Sequence, residues 1–444
     1  MEKNWNDFTP DEKRGERFKR YLTPADIKFS SVEAAENYRI KKKRMVDTYQ
    51  MNIPDRVLVQ LPIGTLPLNY AGITLKTAMY DYDALYYAWH NFLHIFDMDF
   101  YSGPGVVLPG RVYDQVGYSL YKLPGQGIPD DATGLQFVEG EYMKSNEYDY
   151  LIRDPSDFWM RVYIPRIMSS LEPLRYLKPY TSMIEIATGF LAPYSRPEVQ
   201  TALQNLIDTG KEMLKWQAVL AKSSREAQED GIPLPISGSS ARAPFDTLGD
   251  TMRGTQGIMK DMFRQPDKLI EAMDIIADIS INTAITETNT NGGMIVGFPL
   301  HKGADGFMSD KQFEKFYWPS LKKVILGLIN EGLIVSLFAE GSYNTRLETV
   351  NEFPRGSVIW RFDKTDMARA KKILGDKCCI AGNVPSSLIS KGTPQAIKEC
   401  CRKLIETCAP GGGYILTSGC SVEKAPPENL QAMSEAGKEY GAYS

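Results

Sequence analysis

The stretch from Gly332 to Asn429 constrains the fold most. Four short apolar runs alternate there with helix-length amphipathic segments: Leu333-Ile-Val-Ser-Leu-Phe-Ala-Glu340, Ser357-Val-Ile-Trp-Arg-Phe-Asp363, Cys378-Cys-Ile-Ala-Gly-Asn383 and Gly413-Tyr-Ile-Leu-Thr-Ser-Gly-Cys420. Near-continuous apolar strands joined by helices make a parallel sheet covered on both faces. The runs end in Glu340, Asp363, Asn383 and Cys420. In a (β/α)8 barrel the C-terminal strand ends form the rim on which chemistry is built.

Runs of the same kind lie upstream at Arg56–Leu61, Asp97–Ser102, Ile232–Gly238 and Gly293–Pro299. The sequence therefore predicts an α/β protein with a (β/α)8 TIM barrel over residues 56–444. A helical arm, residues 1–55, precedes it, and a helical insertion spans about 135–230, with a Gly/Pro-bearing break near Ile186 to Pro197. The arm lies over the barrel or over a partner subunit of a homo-oligomer. Ser31-Val-Glu-Ala-Ala-Glu36 carries a helix-capping signal, and Lys41-Lys-Lys-Arg44 reads most simply as a solvated helix face.

A formal charge of −4 gives no basic footprint for nucleic acid. No apolar run approaches the ~20 residues of a membrane span. The polar start Met1-Glu-Lys-Asn-Trp is not a secretory signal, and six cysteines in 444 residues make no disulfide framework, so a cytoplasmic protein is expected. The three histidines, His90, His94 and His301, limit any scheme built on imidazole. His90 and His94 stand at i, i+4 on one helix face, a spacing that suits either a metal or packing in the core; packing is the simpler reading. His301 follows Gly293–Pro299 and is the histidine on the predicted rim.

Ile380-Ala-Gly-Asn-Val-Pro385, Gly392-Thr-Pro394, Gly411-Gly-Gly-Tyr-Ile-Leu416 and Pro427-Glu-Asn429 resemble, in order and spacing, the uroporphyrinogen decarboxylase superfamily. The resemblance is specific over the C-terminal half and looser before it. The superfamily holds porphyrin decarboxylases and corrinoid-dependent methyltransferases acting on methanol, methylamines or aryl methyl ethers. Two departures count against porphyrin chemistry. Where decarboxylases carry substrate-binding arginines, this chain has Thr65-Leu-Pro-Leu-Asn-Tyr70. Where they carry an aspartate, it has Gly103-Pro-Gly-Val-Val-Leu-Pro-Gly110.

The resemblance implies a methyltransferase of the O-demethylase branch, which shares the look of Phe338-Ala-Glu-Gly-Ser-Tyr343 and Asn344-Thr-Arg-Leu-Glu348. It would move a methyl group from a small methylated aromatic donor to the cobalt of a corrinoid (cobalamin) protein. No Asp-x-His-x-x-Gly stretch is present, so the corrinoid comes on a partner. Such relatives look like zinc enzymes with a His-x-Cys pair and a later Cys; the matching positions here are Phe338, Glu340 and Cys420. Glu340, Cys420 and His301 offer zinc O, S and N donors. Glu340, Asp363 and His301 are the candidate catalytic groups, and Glu340 alone can serve as a general acid if burial raises its pKa. Asp363 can instead cap the helix that begins at Thr365, and Cys420 can be a small core residue.

Tyr70, Tyr101, Phe298, Tyr343 and Trp360 fall at or just beyond predicted strand ends. They can stack on a methoxylated ring or face a quaternary ammonium. Asn383 joins them as a substrate-binding candidate. In Ser239-Ser-Ala-Arg-Ala-Pro-Phe-Asp246, Arg242 either receives an anionic ligand or pairs with Asp246. The alternatives are a decarboxylase or other lyase, a methylamine or quaternary-amine methyltransferase, and a non-catalytic barrel that binds a small aromatic or corrinoid ligand.

Overall fold

The computed structural model describes residues 4–23, 26–183 and 188–443. Its strands are β1 (Leu58–Val59), β2 (Tyr121–Lys122), β3 (Gln136–Phe137), β4 (Ser237–Ser240), β5 (Ile295–Leu300), β6 (Ile334–Ala339), β7 (Val358–Phe362), β8 (Cys379–Ala381) and β9 (Tyr414–Leu416). Seven of them form one parallel, curled sheet in the order β1-β9-β8-β7-β6-β5-β4. β2 and β3 pair antiparallel as a separate hairpin.

Residues 97–102, predicted as a strand, occupy the eighth position without a ladder. The neighbouring approach to β4 contains Pro233 and Pro235, which have no N–H to give. Single bonds close the gap. Asp99 Oδ2 accepts from the Val59 N–H at 2.8 Å, and the Tyr101 N–H donates to the Pro233 carbonyl at 2.8 Å. Asp99 also receives Arg44 Nη1 at 2.5 Å and Arg56 Nη2 at 2.6 Å.

Strand alternation sorts the apolar residues into two cores. Leu58, Ile295, Ile334, Ile359, Cys379 and Ile415 point inward and meet Phe18, Met45 and Tyr49 of the N-terminal helices. The helices Pro10–Leu22 and Val32–Tyr49 thus plug the floor of the barrel. The other set, including Val296, Phe298, Leu337, Trp360 and Tyr414, packs outward with the surrounding helices.

The lysine/arginine cluster is not a solvated face. Lys41, Lys42 and Arg44 are buried. Lys41 pairs with Asp97 and Arg44 with Asp55 and Asp99, while Lys42 donates to the Tyr21 carbonyl. The floor of the barrel needs these cations to neutralise its carboxylates. Ser31 does cap its helix, its Oγ accepting from Ala34 N at 3.0 Å.

The predicted insertion comprises strand β3 of the hairpin, short helices and the long helix Pro197–Glu229. Ile186, in the predicted break, lies outside the described residues. His90 and His94 are neither core nor a metal pair. His90 is half-buried and His94 exposed, and each faces a carboxylate of the long helix or its cap, Glu226 and Asp230. No helix among the described residues is long and apolar enough to cross a membrane.

Candidate active site at the mouth of the barrel

Two elements meet at the ends of β4 and β5. Beyond β4, the helical segment Pro244–Met252 carries Asp246 and Asp250 one turn apart on its inner side. Beyond β5 come His301 and Lys302. Asp246 is fully buried and fastens the second element to the first. It accepts from the backbone N–H groups of His301 and Lys302, each at 3.0 Å, and from the Tyr317 hydroxyl at 2.8 Å. Burial, and then the charge of Asp250, push its carboxyl up to about 6. At Gly249 a Cβ would stand 2.7 Å from Lys302 Cε, so any side chain there would displace the lysine from its place beside Asp250.

Asp250 collects the cations. Its Oδ2 is 2.6 Å from His301 Nδ1 and 3.4 Å from Arg242 Nη1, and its Oδ1 is 2.9 Å from Lys302 Nζ. Burial pushes the Asp250 carboxyl up, but the hydrogen bonds from His301 and Lys302 outweigh it and hold the group below its ordinary range. The same bond to Asp250 raises the pKa of His301 against the opposing effect of burial. His301 is thereby biased toward imidazolium, with Nδ1–H committed to Asp250 and Nε2–H turned toward Glu340, 3.8 Å away. These groups, with Glu139 and the hairpin aromatics Tyr121 and Phe137, line a cavity of about 270 Å³.

Several sequence expectations change here. Cys420 does not line this cavity; its thiol donates to Ser386 Oγ at 3.4 Å. Among the described residues no group of three or more His, Cys, Asp and Glu side chains stands close enough to hold a metal. Zinc sites of this kind need three protein donors, and His301, Glu340 and Cys420 do not assemble into one. Glu340 is exposed, its side chain retaining 56% of its accessible surface, so the buried setting expected for it is not found. Asp363 does not cap a helix. Asp366 does, accepting from Ala368 N at 2.9 Å and Arg369 N at 3.1 Å, while Asp363 accepts from Gly341 N at 3.2 Å. Arg242 pairs with Asp250 rather than Asp246.

The aromatic set is mostly core. Phe298 and Trp360 are outward residues of β5 and β7, and Tyr343 packs near Trp360 with ring centroids 6.4 Å apart. Tyr101 is buried and its hydroxyl meets Ser223 Oγ at 2.5 Å. Tyr70 packs edge-on against Phe92 and Phe96. Asn383 ties the rim together, donating to the carbonyls of Asp363 and Thr365 at 3.1 and 2.8 Å.

Asp250 and Arg361 escaped the sequence reading. Alternation gives the signal for Arg361: it shares a strand face with Asp363, whereas Trp360 cannot. Asp250 had no comparable signal beyond its spacing from Asp246.

The family model for uroporphyrinogen decarboxylase (URO-D) matches residues 192–440. The chain belongs to the URO-D family. A uroporphyrinogen decarboxylase of Serratia proteamaculans is 23% identical over 269 residues, 59% of this chain and 70% of that protein. Another, from Pectobacterium carotovorum, is 26% identical over 44% of this chain and 54% of its own length. The methylcobamide:CoM methyltransferase MtaA of Methanosarcina barkeri is 25% identical over 51% of this chain and 64% of its own. A solved methyltransferase structure from Methanosarcina mazei superposes with a TM-score of 0.55 at 13% identity, covering 90% of this chain and 98% of that one. Its likeness shows a shared fold.

Proposed function

We propose that this URO-D family protein moves a methyl group from a small methylated donor, an aryl methyl ether first, to the cobalt of a corrinoid borne by a separate protein. The observation that carries this reading is the Asp250–His301 pair, which orients an imidazole at the rim of the barrel, raises its pKa and turns it toward Glu340 beside a small cavity. The obstacle in such a transfer is the leaving group, a phenolate or alkoxide that departs poorly unless protonated. The methyl–oxygen bond breaks and its electron pair stays on oxygen. That oxygen takes the Nε2 proton of His301, and the reduced corrinoid, as second substrate, supplies the pair for the new bond to carbon. Asp250 holds the ring in place, and the charge of Glu340 favours its protonated form.

Aromatic character comes from Tyr121 and Phe137, which line the cavity from the hairpin. The MtaA relative supports a corrinoid-linked reaction. No metal step is drawn, because the donors nominated for zinc do not converge.

Incubation with reduced corrinoid protein and a panel of methoxylated aromatics and methylamines tests the proposal. An alkyl-cobalt spectrum appearing with one donor supports it. Release of carbon dioxide from a carboxylated ring without alkylation assigns a decarboxylase instead, and binding without turnover a non-catalytic barrel.

A further inference from the structure

The inner face of β7 carries a cation that the mouth of the barrel does not use. Arg361 pairs in register with Phe338 on one side and Ala381 on the other, and alternation sends its side chain inward with Ile359 and Asp363. Its guanidinium lies 5.1 Å from the Phe338 ring, itself only partly buried. The partners it finds are poor. Nη2 reaches the Ser418 carbonyl at a long 3.4 Å, and Nε is buried with no hydrogen-bond partner. Among the described residues no carboxylate lies within ion-pair distance of it, whereas Arg242, Lys302 and His301 at the mouth are held by Asp250.

A second orphan accompanies it. Backbone bonds from Gly382 N to Ile415 O and from Val384 N to Thr417 O carry the β9 ladder past its last strand residue, so Thr417 shares the inward face of Ile415. Thr417 is fully buried, and its Oγ1 has no partner. Thr417 adjoins Ser418, the residue that Arg361 touches. Burial lowers the guanidinium pKa, with Cys420 and Asp363 pulling the other way. A buried cation and hydroxyl left unpaired are costly unless a ligand completes them.

We propose that Arg361, with Thr417 beside it, binds the carboxylate of the substrate. The Nε and Nη2 edge presents two parallel donors, the fork that a carboxylate matches. Two residues along a strand rise ~7 Å. The site is therefore one repeat below Asp363, and a carboxylate seated there directs the far end of a flat ring upward to the rim. The inference rests on the methyl-donor reading for its meaning: the donor class becomes a methoxylated aromatic acid.

The experiment separates the two. Titration calorimetry on the full chain, without corrinoid, uses benzoate, 4-methoxybenzoate and the neutral isostere benzamide. The expected result is binding of both acids, at least tenfold weaker binding of benzamide, and at least a tenfold loss of acid affinity in Arg361→Met with partial recovery in Arg361→Lys. Arg361→Met should melt no lower than the parent, since it removes an uncompensated buried charge; a structural arginine would give a lower melting temperature. Equal affinity for acid and amide, acid binding untouched by Arg361→Met, or no acid binding overturns the proposal. Acid binding that depends on Arg361 without methyl transfer keeps the anion site and rejects the proposed reaction. Methyl transfer from uncharged donors that is indifferent to Arg361 does the reverse.

Discussion

Asp250 Oδ2 stands 2.6 Å from His301 Nδ1, and this one contact orients the histidine at the mouth of the barrel and is the first cause of its raised pKa. Its removal should lower the His301 pKa, because the bond to Asp250 is the main cause of the elevation. Asp250→Asn should therefore move the alkaline limb of the methyl-transfer pH profile to lower pH. His301→Ala should cost ~10²–10⁴-fold in rate. A profile unchanged in Asp250→Asn would remove His301 from the role of acid.

Asp246 links stability to pH. Its carboxyl titrates near 6 in the folded protein and near the ordinary ~3.9 when unfolded. A raised folded pKa means that its contribution is complete below ~4 and is lost as pH rises through about 6. Relative to Asp246→Asn, the parent should lose roughly 2 kcal/mol between pH 4 and pH 7. Urea unfolding of both proteins across that range measures the difference, and a pH-independent gap would show that Asp246 stays ionised throughout.

Asp99 holds the sheet closed where backbone pairing fails. Asp99→Ala would leave Arg44 and Arg56 buried without their shared carboxylate and free the Val59 N–H. A loss of ~3–5 kcal/mol is expected, read as a lower denaturation midpoint. A stability within error of the parent would mean that water or another acid substitutes for it.

Trp360 should matter for stability and not for donor binding. It is fully buried in the outer layer and stacks on Phe362 with centroids 6.0 Å apart. Trp360→Ala should cost ~3–5 kcal/mol, while the milder Trp360→Phe keeps donor affinity within about twofold. Weaker donor binding in Trp360→Phe, at unchanged stability, would return this residue to the site.

The alternation of apolar runs and amphipathic segments in the sequence was enough to establish a parallel α/β barrel, because a strand buried on both faces has no other economical cover. Strands β5 to β7 fall within one or two residues of their predicted ends for the same reason. Local capping chemistry was legible too: Ser31 caps the helix Val32–Tyr49, as its sequence signal implies. The floor cations Lys41, Lys42 and Arg44 do not form the solvated face expected of them, because sequence shows charge but not the distant carboxylates and carbonyl that receive it.

The candidate site followed a different rule. His301 and Glu340 were visible as polar residues ending apolar runs, and they do meet. Cys420 ends a run as well, yet curvature of the sheet and the turn after β9 direct its thiol to Ser386. Trp360 and Arg361 are adjacent in sequence and opposite in the fold; strand parity separates them, and only the side on which the sheet closes says which one lies on its inner face. The order of strands and helices was thus fixed by local periodicity in the chain. The company each charge keeps, Asp250 with His301 and Arg361 with no carboxylate partner among the described residues, was decided by tertiary packing, because electrostatic pairing depends on distances that sequence separation does not contain.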